Sequence, residues 1–276
     1  MALATRFGQN HTSIRSQDPL NNEEIRAVAP SIFASEKHDS RSERYTYIPT
    51  IDVLEGLRRE GFLPFMACQA RCRDEGKREH TKHMLRLRRA DQIISSEANE
   101  IILINSHDGT SSYQMLAGTF RFVCCNGMVC GDTLNDIRIP HKGNIVDNVI
   151  EGAFRVVEDF GLINDQVEAM KSLTLDAGEQ EVFAQSALAL KYDPQAGAAP
   201  ITERQILEPK RREDIGDDLW RTFNRVQERM LRGGVHGRSA NGRRITTRAV
   251  TGIDSDIRLN RALWVLAERM KQLKTA

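Results

Sequence analysis

Arginine placement is the feature of this chain that points most directly at chemistry. Residues 71–89 hold Arg71, Arg73, Lys77, Arg78, Lys82, Arg86, Arg88 and Arg89 against Asp74, Glu75 and Glu79, a local balance of +5. Residues 221–248 hold eight arginines against Glu228 alone, a balance of +7, and no lysine. Residues 147–181 run the other way, with nine acids against Arg155 and Lys171. A guanidinium is a planar fork of donors that grips a phosphate through parallel charge-assisted hydrogen bonds. In the second cluster, glycines such as Gly234, Gly237 and Gly242 would let backbone N–H groups approach the same anion. The chemistry on offer is contact with a phosphate backbone, through Arg71, Arg73, Lys82, Arg86 and Arg88 from one segment and Arg238, Arg243 and Arg244 from the other. The competing use of these charges is pairing with the acidic stretch, or solvation of an ordinary surface.

Other reactive residue types are weaker candidates. Cys68 and Cys72 precede His80 and His83 with zinc-ligand chemistry, but residues three apart on a strand face opposite ways, so the two histidines chelate together only if His80 lies in a turn. Cys68 and Cys72 read instead as small core residues, and Cys124, Cys125 and Cys130 as strand and turn thiols with no indicated His partner. Asp254 and Asp256 could hold a magnesium ion, yet an Asp or Ser just ahead of an apolar-periodic run more often caps a helix. His107 neighbours Asp108, whose place in the turn dipeptide Asp108-Gly109 needs no catalytic explanation. Tyr45, Tyr47 and Tyr113 could stack on bases, although an isolated aromatic more often packs in a core. With no phosphate-loop or nucleophile-elbow motif, the reading assigns no catalytic residue, no metal and no cofactor, and leans against an enzyme.

The elements that must carry these residues follow from periodicity. Residues 1–44 read as a loosely packed arm with one short helix at Glu23–Val28. Ile51, Val53, Leu54 and Leu57 predict a helix closed by Gly61. Period-two alternation over Leu63–Asp74 and again over His83–Arg88 predicts an antiparallel strand pair with its arginines on an exposed face. Residues 99–105 and 113–124 flank Asp108-Gly109 as a hairpin, and a short strand is expected at 128–130 or 137–139. Val146, Val149, Ile150, Ala153, Val157 and Phe160 then predict a long helix ending at a Gly161 C-cap, able to cover one face of the sheet. Helix continues over 165–190 with a break near 175–178, and residues 193–200 have linker composition. Leu219, Phe223, Val226 and Met230, then Leu259, Leu263, Leu266, Met270 and Leu273, predict two helices with narrow seams. The glycine-rich segment between them reads as irregular. The expected fold is α+β, an antiparallel meander covered by a long helix. Its parts are an arm (1–44), a core domain (45–192), a linker (193–216) and a helical C-terminal region (217–276).

Composition sets the limits. The 276 residues are 40% hydrophobic and balance 39 Lys and Arg against 38 Asp and Glu, so a bulk-charge argument for nucleic-acid or membrane affinity fails and only local clusters count. No apolar run approaches the roughly 20 residues a bilayer span needs, and the N-terminus has no apolar leader core, so a cytoplasmic location without membrane contact is expected. Five cysteines without a leader suit reduced thiols better than a disulfide framework.

Several runs together resemble one family. They are residues 40–50 (SRSERYTYIPT), 82–88 (KHMLRLR), 105–109 (NSHDG), 120–127 (FRFVCCNG) and 237–240 (GRSA). Nearly end to end, they are similar to the uncharacterised family of YafZ and YfjQ type. Cys125 departs from the pattern, since Thr is expected there. The resemblance implies a protein of prophages, phages or plasmids and assigns no site residue. By fold-level analogy, the predicted strand order followed by a long helix is similar to the β-β-β-α core of Rad52-type single-strand annealing proteins. The expectation is therefore a homo-oligomer that binds nucleic acid, single-stranded DNA above all, in recombination. The alternative expectation is an interaction protein that inhibits a host defence system through its acidic helices.

Overall fold

The structure is a computed structural model that describes residues 3–5, 11–35, 47, 49–70, 75–89, 93–94, 97–123, 126–131, 136–139 and 144–275. Its contacts group into two compact units: Met1–Phe122 with Thr133–Phe160 and Thr251–Ile253, and Val123–Asp132 with Gly161–Val250 and Asp254–Ala276. The division after Phe160 groups residues 161–192, the last part of the expected core domain, with the C-terminal helices.

The first unit is an antiparallel sheet covered by helices. Its strands are β1 (Leu3–Thr5), β2 (His11–Arg15), β3 (Leu63–Ala70), β4 (His83–Arg88), β5 (Ile93–Ile94), β6 (Glu97–Asn105) and β7 (Tyr113–Arg121), with β9 (Ile137–Ile139) following β8 of the second unit. Pairing runs β1-β2-β3-β4-β6-β7, with β5 on β6 and β9 on β7. The expected loose arm is thus partly sheet: Ile14 pairs with Ala67 and is buried. A five-residue strand with one large apolar side chain offers too little alternation to be read. The expected helix does form as α1 (Asn22–Val28), closed by a capping box between Asn21 and Glu24.

The β3–β4 pair forms as expected, Ala67 opposite Leu85 and Cys68 opposite Met84. So does the β6–β7 hairpin, with Gly109 at φ +75 in its connection. Helix α2 (Thr50–Arg59) precedes β3, and α3 (Ile145–Glu158) covers β7 and β9. Close approach depends on Gly152, where a Cβ would meet Met115 Sδ at 3.0 Å and Ile137 at 3.2 Å. Gly161 is not the expected C-cap. The chain turns at Asp159, and Gly161 already lies in the first turn of α4 (Phe160–Ser172).

The second unit is helical around a small aromatic core. It contains β8 (Asn126–Val129), α4, α5 (Ala177–Lys191), α6 (Glu203–Leu207), α7 (Leu219–Arg232), β10 (His236–Arg238), β11 (Arg244–Thr246) and α8 (Ile253–Thr275), whose first residue groups with the first unit. Polar caps start the helices: Asp176 for α5, Thr202 for α6 and Asp218 for α7. Trp220 stacks on Phe223 with centroids 5.6 Å apart, and Trp264 meets both edge-on at 6.4 and 6.0 Å. Trp264, beside the apolar seam of α8, is therefore taken up inside this unit. The expected linker, 193–216, carries α6 and buries Ile201 and Ile206. No described helix is long and apolar enough to cross a membrane.

Candidate nucleic-acid interface

Of the first arginine cluster, the two strand residues Arg86 and Arg88 are buried, whereas Arg78 is exposed. Arg71 and Arg73 lie outside the described residues, and Lys82 is half-buried. Arg86 and Arg88 are 1% and 2% exposed, which corrects the expectation of an exposed basic face. The reason is the place of β4 between β3 and β6, where every residue from His83 to Arg88 is buried. Charges are tolerated there because Ile102 pairs with Arg86, which puts Glu100, two residues along β6, on the same face as both arginines. Arg86 donates to Glu100 at 3.0 Å and Arg88 at 2.7 Å. The Arg88 guanidinium also lies 4.0 Å from the Phe120 ring centroid and 4.6 Å from that of Phe65. Burial alone would raise the Glu100 carboxyl, but the two guanidiniums outweigh it and hold it below the usual carboxylate range. These arginines are structural ions of the sheet, held from within it by Glu100.

A second buried polar group sits at the ends of the same strands. The Thr50 hydroxyl lies 2.9 Å from His83 Nε2, 3.2 Å from His107 Nε2 and 3.3 Å from the Tyr113 hydroxyl, and it accepts from Asn105 Nδ2 at 3.0 Å. Ser31 closes the far side against His83 Nδ1 at 2.8 Å. The half-buried Tyr47 places its ring 4.9 Å from that of His107 and hydrogen-bonds the Ala34 carbonyl. Burial pushes the His83 imidazole down to about 4, so it is neutral near pH 7 and cannot serve as a cation for phosphate. Three of the sequence runs with a family resemblance meet here, through Tyr47 and Thr50, His83, and Asn105 and His107. The sequence reading missed the cluster. The available signal is Thr50 and His83 standing in apolar-periodic segments; His107 lies in a polar turn segment and gives none.

Cys68 is buried on β3, and Tyr113 is fully buried; Tyr45 and Cys72 lie outside the described residues. Asp254 and Asp256 occupy the first turn of α8. Among the described residues, no three His, Cys, Asp or Glu side chains gather as a metal-binding group.

The second cluster divides into committed and exposed charge. On α7 and beside it, Arg211 holds Glu228 through two bonds of 2.7 and 2.8 Å, Arg221 pairs with Asp218, and Arg225 is buried with bonds to Gln180 and Thr222. Burial would raise the Glu228 carboxyl, but Arg211, Lys210 and Arg232 bring it down to about 2. Beyond α7 the chain carries no acid until Asp254. Arg238, Arg243 and Arg244 are exposed there and make no ion pair among the described residues. Sequence reasoning expected an irregular loop at this point. The structure instead forms a two-stranded hairpin, with His236 opposite Thr246 and Arg238 opposite Arg244.

Glycines build the hairpin by standing where no side chain fits. Gly233 ends α7 at φ +62, and a Cβ there would fall 2.6 Å from the Thr247 carbonyl oxygen. At Gly237 a Cβ would lie 1.9 Å from the Pro200 carbonyl oxygen, the same oxygen that accepts from Arg238 N–H at 2.9 Å. The base is anchored by Gly234 and Val250, whose N–H groups donate to Thr247 and Leu231, and by Lys191, whose ammonium hydrogen-bonds the Met230 and Arg248 carbonyls. Between the hairpin and Ala198–Thr202 opens a cleft of about 970 Å³. Arg238 and Arg244 line it with Pro200, Ile201 and Ile245, and no carboxylate does.

A family model described as "Domain of unknown function (DUF932)" matches residues 37–264. The chain is 54% identical over 268 residues to the UPF0380 protein YafZ of Escherichia coli (strain K12), covering 97% of each chain. It is also 54% identical over 268 residues to the UPF0380 protein YfjQ of the same organism, again with 97% of each chain covered. No solved structure matches.

Proposed function

Because the chain belongs to the DUF932 family, whose description names no activity, we propose from its own residues that it binds nucleic acid through the arginine hairpin of the second unit. The observation that carries the reading is the exposure of Arg238, Arg243 and Arg244 on an anchored hairpin that contains no acid. An anchored element holds its guanidiniums in place before binding, so less side-chain and backbone freedom is lost when phosphates arrive. Arg86 and Arg88, buried in the sheet, take no part in the site. Single-stranded DNA, with little sequence preference, is the substrate class this reading favours. The role that fits a mobile-element protein is strand annealing in recombination by a homo-oligomer, which rests on the strand-order analogy with Rad52-type proteins.

The test is anisotropy of a labelled single-stranded oligonucleotide titrated with the full chain at about 50 mM salt, where phosphate contacts are strongest. Binding that falls steeply with salt supports the proposal. Undiminished binding by the triple variant R238A/R243A/R244A would remove the hairpin from it.

A second reading has one observation in its favour. Acidic α4 and α5 expose Leu162, Val182 and Leu190 at 66%, 56% and 46%, which suits a protein contact such as inhibition of a host defence component. A chain that binds no oligonucleotide but captures a host protein through these residues would establish it.

A further inference from the structure

We infer that the cleft beside the hairpin seats one unpaired nucleobase, so that strands are held by a base as well as by phosphates. This rests on the nucleic-acid reading above and names its subsite. The two walls of the cleft differ in character. One is apolar, formed by Ala198, Ala199, Pro200 and Ile201; the other carries Arg238 and Arg244. That combination suits a ligand with a flat, weakly polar body joined to an anion, which is what a nucleotide is. A volume of about 970 Å³ is at the upper end of the roughly 300–1,000 Å³ of small-molecule sites, so base and sugar both fit.

Several polar groups in the cleft are already engaged, while the Ser239 hydroxyl has no hydrogen-bond partner among the described residues. Gln205 donates to the His236 carbonyl at 2.8 Å and accepts from Thr202 N–H at 2.9 Å, while His236 Nδ1 lies 3.1 Å from the Thr246 hydroxyl. A hydroxyl, which both donates and accepts, tells base edges apart poorly, so the pocket holds a base mainly by shape and by contact with Pro200 and its neighbours. Base identity should therefore matter little. Duplexes should be disfavoured, because a paired base must first be unstacked at a cost of a few kcal/mol. The Arg238 N–H bond to the Pro200 carbonyl ties the two segments together at one edge of the cleft.

The experiment compares three labelled probes of equal phosphate count on the full chain: a thymidine single strand, a single strand of abasic residues and a duplex. The thymidine strand should bind about tenfold more tightly than the abasic one, on the scale of a single base contact. The duplex should bind no better than the abasic strand. Ala198→Leu on one wall, or Ala240→Leu on the other, should bring thymidine-strand affinity down to the abasic level while leaving abasic affinity and its salt slope unchanged; both positions are exposed, so folding should be retained. Equal affinity for thymidine and abasic strands would overturn the base subsite and leave the phosphate reading standing. Absence of binding to every probe would overturn both.

Discussion

Arg86 and Arg88 show how a charge can be legible in sequence while its role is not. Alternation along His83–Arg88 correctly places the two arginines on one face, but it cannot say whether that face meets water. The partner that decides the matter, Glu100, lies on a strand 12 residues beyond Arg88 and is joined to it only by sheet register. Removing that partner should be severe. Glu100→Ala leaves two guanidiniums buried without their counterion, and a loss of about 3–5 kcal/mol is expected in urea unfolding. A loss below about 1 kcal/mol would show that the pair is not buried as described.

His83 gives a second test at the same scale. The unfolded imidazole takes up its proton near 6.5, whereas the folded one does so only near 4, because burial disfavours the charged form. In that interval the unfolded state binds more protons, so the stability held above about 6.5 is lost progressively as pH falls toward 4. Wild-type stability should therefore drop by up to about 3 kcal/mol between these values, and the slope should be shallower in His83→Gln. An unchanged slope in the variant would place the titration elsewhere. Asp108 is the charged neighbour acting on this imidazole, and its own carboxyl, held low by Thr110, stays ionised through the upper part of the interval.

Among the elements, those with a repeated period or a local cap or turn signal are readable, and the three-residue strands β10 and β11 are not. Helix α7 and the α8 seam repeat their apolar residues over several turns, and β6–β7 announces its turn with Asp108-Gly109. Strands β10 and β11 have three residues each, below the length at which alternation can be counted, and their glycines read as an argument against regular structure. Gly237 is present because Pro200 is too close for a Cβ, a tertiary reason with no local signature. Gly237→Ala should thus pry the hairpin from Pro200, speed hydrogen exchange at the Arg238 amide and weaken oligonucleotide binding about tenfold. Gly242→Ala meets open space and only the strain of φ +73, so it should cost about 1 kcal/mol and leave the Arg238 amide protected. Equal protection in both variants would show that the Pro200 contact does not hold the hairpin.

Across the whole molecule, a formal net charge of +1 conceals an uneven distribution that was visible in sequence, but its two basic clusters have different fates. In the first, Arg86 and Arg88 are folded into a sheet around Glu100. The second is divided between ion pairs of α7 and the exposed hairpin, and the function argued for rests on that remainder. The most direct measurement is the salt dependence of single-strand binding in wild type and in R238A/R243A/R244A. Each phosphate contact on a single strand contributes about −0.7 to the slope of log affinity against log salt, so losing three contacts should flatten the slope by about 2 and reduce affinity at low salt. Arg212→Ala, an exposed arginine outside the hairpin, should leave the slope as it was. A triple variant with the slope and affinity of wild type would contradict the account.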